Sequence, residues 1–221
     1  MSRPLLVRYL GRLPYREAWA MQRDLVARRA AGEVPDTLLL LEHDPVITLG
    51  RDGRRDSLLF PEAALAARGV DLVESDRGGD ATFHGPGQVV GYPIVDLRPD
   101  QKDVRRYVRA LEQAMLDTLA DYALSGGRDA KNPGVWLEDP PRKIGAIGAR
   151  ISRWITHHGF ALNVNVDLAY FGLIVPCGIP DRGVTSLQRE LGHTVPLAEV
   201  MERLAGHLAR GLGRTLADAQ G

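Results

Sequence analysis

A single cysteine, Cys177, stands in the 221 residues. It cannot form an internal disulfide or build a multi-cysteine metal site. Lysine is nearly as scarce, occurring only as Lys102, Lys131 and Lys143, and every other basic residue is arginine. Arginine keeps its proton at neutral pH, so only these three side chains could serve as a lysine base. Charge of either sign is not in excess, with 28 basic against 28 acidic residues. That balance argues against a nucleic-acid partner held by bulk positive potential. No apolar run approaches the roughly 18–20 residues that cross a bilayer. The opening "MSRPLLVRYLGRLPYREA" is interrupted by Arg8 and Arg12 and does not read as a signal peptide. These absences predict a cytoplasmic protein with neither membrane nor nucleic acid as partner. The length suits one domain over 1–221 with a sizeable core.

Periodicity supplies the elements. Tyr15, Ala18, Trp19, Leu25 and Val26 share a helical face, with Pro14 ahead of them. "TLLLLEH" and "PVITLGR" read as strands separated by a turn at His43–Pro45. "PEAALAARG" reads as a short helix and "VDLVES" as a strand, and residues 77–87, "RGGDATFHGPG", read as a glycine-rich loop before the strand "QVVGYPIVDL". From Asp103 to Leu124, apolar residues recur at helical spacing behind an Asp N-cap. "VWLE", "KIGAIGARIS" and "THHGFALNVNVD" read as strands, with a turn near Arg153–Trp154, and a last helix starts near Pro196. The mixture predicts an α/β or α+β domain without fixing the sheet order.

The glycine-rich loop fails both standard phosphate patterns. No Gly-Lys pair occurs anywhere, and Gly85-Pro86-Gly87 is followed by Val90 where a dinucleotide fingerprint needs glycine. Arg77, Asp80, Thr82 and His84 within it favour a binding loop of another kind over an ordinary tight loop. Lys143 opens a strand of apolar residues and glycine. Such a lysine is normally solvated, but in a central strand it would point into a cleft, where burial makes the neutral amine a usable base. His84, His158 and Asp80 lack convincing metal spacing, so a role in ordering loops by hydrogen bonding is the better expectation. Cys177 lies between Pro176 and Gly178. A lone cysteine is most often a small buried hydrophobe, yet this turn is one way of presenting a thiol, which needs a base or cation nearby to become a nucleophile.

Together, "RGGDATFHGPGQVVGYPIVDL", "RKIGAIGARISRWITHHGFALNV" and "VPCGIPDRGVTSL" closely resemble the three signature segments of the lipoyl(octanoyl) transferases, from about Leu39 to Leu187. The family pattern commonly carries Tyr where this chain has Phe83. The resemblance implies a biotin/lipoate protein ligase-like fold, a central mixed sheet flanked by helices. It implies a catalytic dyad of Cys177 and Lys143. It places substrate at Arg77, Gly78, Gly79, Asp80, Ala81, Thr82, Phe83 and His84, at Ala146, Ile147 and Gly148, and at Gly159, Phe160 and Ala161. It implies octanoyl transfer from octanoyl-acyl carrier protein to a lysine of lipoyl domains in 2-oxoacid dehydrogenase complexes and the glycine cleavage H protein. A cysteine thioester would be the intermediate, with no ATP and no metal as cofactor. Ile144, Ile147 and Phe160 are candidates for the acyl-chain wall. The arginine runs at 50–56 and 105–109 could dock acidic partners. Competing readings are an ATP-dependent lipoate or biotin ligase, a cysteine thioesterase and a non-catalytic carrier-binding domain.

Overall fold

The computed structural model describes residues 3–98, 102–129, 132–175 and 183–218. Its strands are β1 (Arg3–Leu13), β2 (Asp36–His43), β3 (Val46–Leu49), β4 (Asp71–Glu74), β5 (Ala81–His84), β6 (Gln88–Ile94), β7 (Gly127–Arg128), β8 (Gly134–Leu137), β9 (Arg142–Ile147), β10 (Arg150–Ser152), β11 (Ile155–His157), β12 (Phe160–Asn163), β13 (Gly183–Val184) and β14 (Arg214–Asp218). The helices are α1 (Tyr15–Ala31), α2 (Glu62–Ala66), α3 (Val104–Asp121), α4 (Leu187–Leu191) and α5 (Leu197–Gly211).

Nine described strands form one sheet in the order β14-β1-β2-β6-β12-β9-β8-β7, with β13 alongside β9. β1 is parallel to β14 and β2, β13 is parallel to β9, and the remaining neighbours are antiparallel, so the sheet is mixed. Helices cover both faces. Leu38 and Leu40 of β2 pack with α3 and α5, whereas Leu39 and Leu41 pack with Ala18 and Leu25 of α1. A strand covered on both sides has no reason to alternate, which is why "TLLLLEH" is an unbroken apolar run. The α3 helix begins where the Asp103 carboxylate accepts the Arg106 N–H at 3.0 Å. It buries Tyr107, Leu111, Met115 and Leu119 against Val200, Leu204 and Leu208 of α5.

A second sheet, β4-β3-β5, has its own apolar cluster of Ile47, Leu49, Phe83 and Phe171. Residues 81–84 are therefore a strand, not loop as expected, because Ala81–His84 pairs antiparallel with Val46–Leu49. The turn at Arg153–Trp154 is present, with both residues at positive φ (47° and 67°). At the far edge, the Arg214 Nε donates to Asp36 Oδ2 at 2.8 Å, and Arg29 Nε donates to Asp36 Oδ1 at 2.8 Å. These buried pairs tie β14 to β2 and α1. Among the described residues no helix is long and apolar enough to cross a membrane.

Candidate active site

Four strands and two glycine turns enclose a cavity of about 490 Å³. Most of the expected binding residues line it: Arg77 through Thr82, His84, Ala146, Ile147, Gly148, Gly159, Phe160 and Ala161, together with Lys143. The segments converge because β6, β12 and β9 are sheet neighbours, with Ala161 directly opposite Ala146 and Phe160 opposite Ile147. Two facing alanines leave room where larger side chains would close the wall.

Lys143 reaches the cavity through an irregularity. On β8, Val135 pairs with Gly145 but Trp136 pairs with Lys143, so Ile144 is an extra residue on β9. A bulge re-aims the side chains on either side of it. Ile144 is fully buried in the cluster beneath α3, and a Cβ on Gly145 would meet Met115 of that helix. Lys143 and Ala146, three apart, consequently both face the cavity. Ile144 is thus no part of the acyl-chain wall, contrary to expectation. The Lys143 side chain is half-buried. Its Nζ sits 4.7 Å from the centre of the Trp136 ring and 3.5 Å from the Pro133 carbonyl oxygen.

The 77–80 loop is stapled by Arg77. Its Nε donates to Thr48 Oγ1 (2.9 Å), its Nη2 to the Thr48 and Asp80 carbonyls (both 2.6 Å), and its Nη1 to the Gly78 carbonyl (2.9 Å). Gly79 takes φ of 86°, a conformation that only glycine adopts freely. Asp80 accepts the Ser57 hydroxyl at 2.9 Å. Phe83 does not line the cavity. It stacks on Tyr170 at 4.8 Å between ring centres and turns into the second cluster, because alternate residues of β5 face opposite sides.

The histidines order loops. His158 Nε2 donates to Asp76 Oδ1 at 2.7 Å, and its backbone N–H donates to Gln22 Oε1 at 2.8 Å. His84 Nδ1 lies 2.7 Å from Gln88 Oε1. His43, expected only as part of a turn, ends β2 and bridges the Leu13 carbonyl (2.9 Å) and the Tyr92 hydroxyl (2.7 Å) under the cavity floor. Burial pushes His43 and His158 down to about 4, so both are neutral at pH 7. His84, His158 and Asp80 each have a different partner and form no shared metal centre. Asp76, His157 and His158 do bring three donor atoms within 4.8 Å of one another. Arg150 already occupies Asp76 Oδ2 at 2.7 Å, however, so a cation there would compete with a guanidinium.

Sequence reasoning missed Tyr15, Tyr92, Val108 and Asn132, which also line the cavity. Their elements were legible, but only the packing of α1, β6 and α3 around β9 brings them together. Cys177, the expected nucleophile, lies outside the described residues. The chain before it is anchored where Val175 N–H donates to the Ser57 carbonyl at 2.8 Å. The chain after it rejoins the sheet with Val184 paired to Lys143 and with Thr185 N–H on the Lys143 carbonyl at 2.9 Å.

Residues 14–209 match the family model of the lipoyl protein ligase A/B catalytic domain. A curated octanoyltransferase of Chloroflexus aurantiacus is 54% identical over 207 residues, 93% of each chain. One of Rubrobacter xylanophilus is 52% identical over 205 residues, 92% of this chain and 91% of that one. The solved bipartite lipoate protein ligase of Thermoplasma acidophilum, described with its E2 lipoyl domain, superposes with a TM-score of 0.78 at 17% identity, covering 99% of this chain and 87% of that one. Biotin protein ligase of Aquifex aeolicus, in complex with biotin and ATP, gives 0.58 at 14% identity, covering 93% and 69%. These two likenesses are of fold.

Proposed function

The chain belongs to the lipoyl protein ligase A/B catalytic domain family and is an acyltransferase of the octanoyltransferase type acting in lipoate biosynthesis, and from that premise we propose that it carries octanoyl from acyl carrier protein to a lipoyl-domain lysine through a thioester on Cys177. The supporting observation is the cavity itself. Among the described residues its walls combine apolar surface from Val90, Val108, Ile147 and Phe160 with Lys143. Of the described residues before Cys177, Val175 bonds Ser57, a partner of Asp80, and of those after it Val184 pairs with Lys143.

In the proposed reaction the Cys177 thiol passes its proton to the Lys143 amine, and the thiolate attacks the octanoyl thioester. The carbonyl–sulfur bond to the carrier breaks, and the carrier thiolate takes that proton from the Lys143 ammonium to leave as thiol, so Lys143 is again a free amine. The acceptor lysine, as free amine, then attacks the enzyme thioester. An amide forms, the Cys177 sulfur leaves, and the proton lost by the amine returns to it by way of Lys143. Thioester exchange is nearly balanced and amide formation is downhill, so the donor already carries the activation and ATP has no step to supply. Octanoyl packed into the cavity gains about 0.8 kcal/mol per buried CH₂.

The test is to mix enzyme, octanoyl-carrier and an apo lipoyl domain without nucleotide and follow the acceptor mass. Octanoyl-lysine should form at full rate, and octanoate should support no exchange of pyrophosphate into ATP. Free octanoate released without acceptor at that same rate would indicate a thioesterase instead, and octanoate-dependent exchange a ligase.

A further inference from the structure

The search for groups that the transfer does not yet use leads to His84. The orientation of its ring follows from a chain of hydrogen bonds. Asn163 Nδ2 donates to the Thr185 carbonyl at 2.9 Å, so Asn163 presents Oδ1 to its other neighbour. Gln88 Nε2 donates to that oxygen at 2.9 Å and to the Phe83 carbonyl at 3.3 Å, so Gln88 presents Oε1 to His84. An amide oxygen only accepts, and Oε1 is 2.7 Å from His84 Nδ1. The hydrogen of the neutral imidazole is therefore on Nδ1 and the lone pair on Nε2. The relay begins at Thr185, which also binds the Lys143 backbone, so it ties His84 to the strand that carries the lysine.

Nε2 is the atom through which His84 can address the cavity it lines. Of the other buried polar side chains in that wall, Tyr15 is committed to Ser75 (2.8 Å), Tyr92 to His43 (2.7 Å) and Arg77 to the backbone of its loop, while His158 donates through Nε2 to Asp76 (2.7 Å) and keeps its unpartnered Nδ1 buried away from the cavity surface. Burial, with His43 close by, pushes His84 down to about 3, so it stays an acceptor at neutral pH. A lone pair repels a carbonyl oxygen or an oxyanion, so the partner of this atom must carry a hydrogen. Lys143, the base of this step, takes one hydrogen of the incoming amine, so the second N–H needs another acceptor. An amine leaving water for this cavity needs an acceptor, and an unpaired polar group there would cost 1–3 kcal/mol.

We propose that His84 Nε2 accepts an N–H of the incoming acceptor lysine and holds its nitrogen lone pair toward the enzyme thioester. Gln88 and Asn163 act as positioning residues for it. This role rests on the acyl-enzyme reading above and concerns only the second half of the reaction. It is tested with isolated octanoyl-enzyme discharged either by a lipoyl domain or by excess hydroxylamine, a free nucleophile that needs no seat. His84→Phe removes the lone pair and keeps a ring. Gln88→Glu keeps His84 but places a carboxylate against Nδ1, which protonates the ring and turns Nε2 into a donor. Both variants should slow discharge to the lipoyl lysine by roughly 10- to 100-fold, the scale of a lost hydrogen bond to a charged or polar donor. In each variant the ratio of lipoyl-lysine discharge to hydroxylamine discharge should fall by that factor, a change that altered cavity shape alone would not produce. Undiminished transfer to the lipoyl lysine overturns the proposal, and so does an equal loss in acylation, which would assign Nε2 to the thiol step. If the parent enzyme holds no octanoyl, the acyl-enzyme reading fails instead, and the same two acceptors compared in the complete reaction decide the part of His84.

Discussion

The facing alanines on β12 and β9 make the chain-length preference a consequence of wall geometry. Ala161 and Ala146 are directly paired and both line the cavity. Ala161→Leu adds three carbon atoms to that wall and removes space for about three methylenes of the acyl chain. At about 0.8 kcal/mol per buried CH₂, octanoyl loses ~2.4 kcal/mol, or roughly 60-fold in kcat/KM. Butanoyl does not extend so far and keeps its rate. In the parent enzyme the four extra methylenes of octanoyl are worth ~3 kcal/mol, a preference over butanoyl of about 200-fold. In the variant that preference should fall to about fourfold. The assay is acylation of the enzyme by octanoyl- and butanoyl-carrier, with thermal unfolding of the variant as a control, since overpacking alone costs about 1–3 kcal/mol of stability. An octanoyl-to-butanoyl ratio that stays near the parent value would refute the placement of the acyl chain.

Three further outcomes are expected. Lys143→Arg keeps a cation in place but no base, so acyl-enzyme should still form while transfer to the lipoyl lysine falls about 10²- to 10⁴-fold in single-turnover assays; equal rates would contradict the base role. Arg214→Met leaves the buried Asp36 carboxylate with Arg29 as its remaining guanidinium and should cost about 3 kcal/mol in urea unfolding, the lower end for a broken buried pair; a loss under about 1 kcal/mol would show that β14 is held by other contacts. His43, His84 and His158 have depressed values in the fold, about 4, 3 and 4, against about 6.5 when unfolded. The unfolded chain therefore binds more protons between those limits. Stability should be flat above pH 6.5 and fall as pH drops from 6.5 toward 4, by up to about 1.4 kcal/mol per pH unit for each histidine. Urea midpoints measured at pH 5 and 7 that coincide would contradict this.

The helices α3 and α5 were legible because each has one wet and one dry face, so the 3.6-residue period survives in the sequence. β1 was not legible. Arg8 and Arg12 interrupt its apolar residues, and only Leu5 and Val7 are buried, since the strand is held largely through its neighbours β14 and β2. β14 and the short α4 were missed for a similar reason: their residues take their state from what they pair with or follow. Residues 81–84 looked like loop because glycines flank them, yet the pairing with β3 decides. At the site, most of the cavity wall was named by the family resemblance and not by the residue pattern alone. Strict alternation along β9 could not place Lys143 beside Ala146, because the bulge at Ile144 depends on β8. Phe83 was grouped with its loop, although the pleat of β5 turns it the other way.

The most direct measurement of the account is peptide mapping of enzyme incubated with octanoyl-carrier alone. One octanoyl group should be found on the peptide that contains Cys177, removable by hydroxylamine, and both adduct and turnover should vanish in Cys177→Ala. Octanoyl transfer to a lipoyl domain at the parent rate in Cys177→Ala would contradict it.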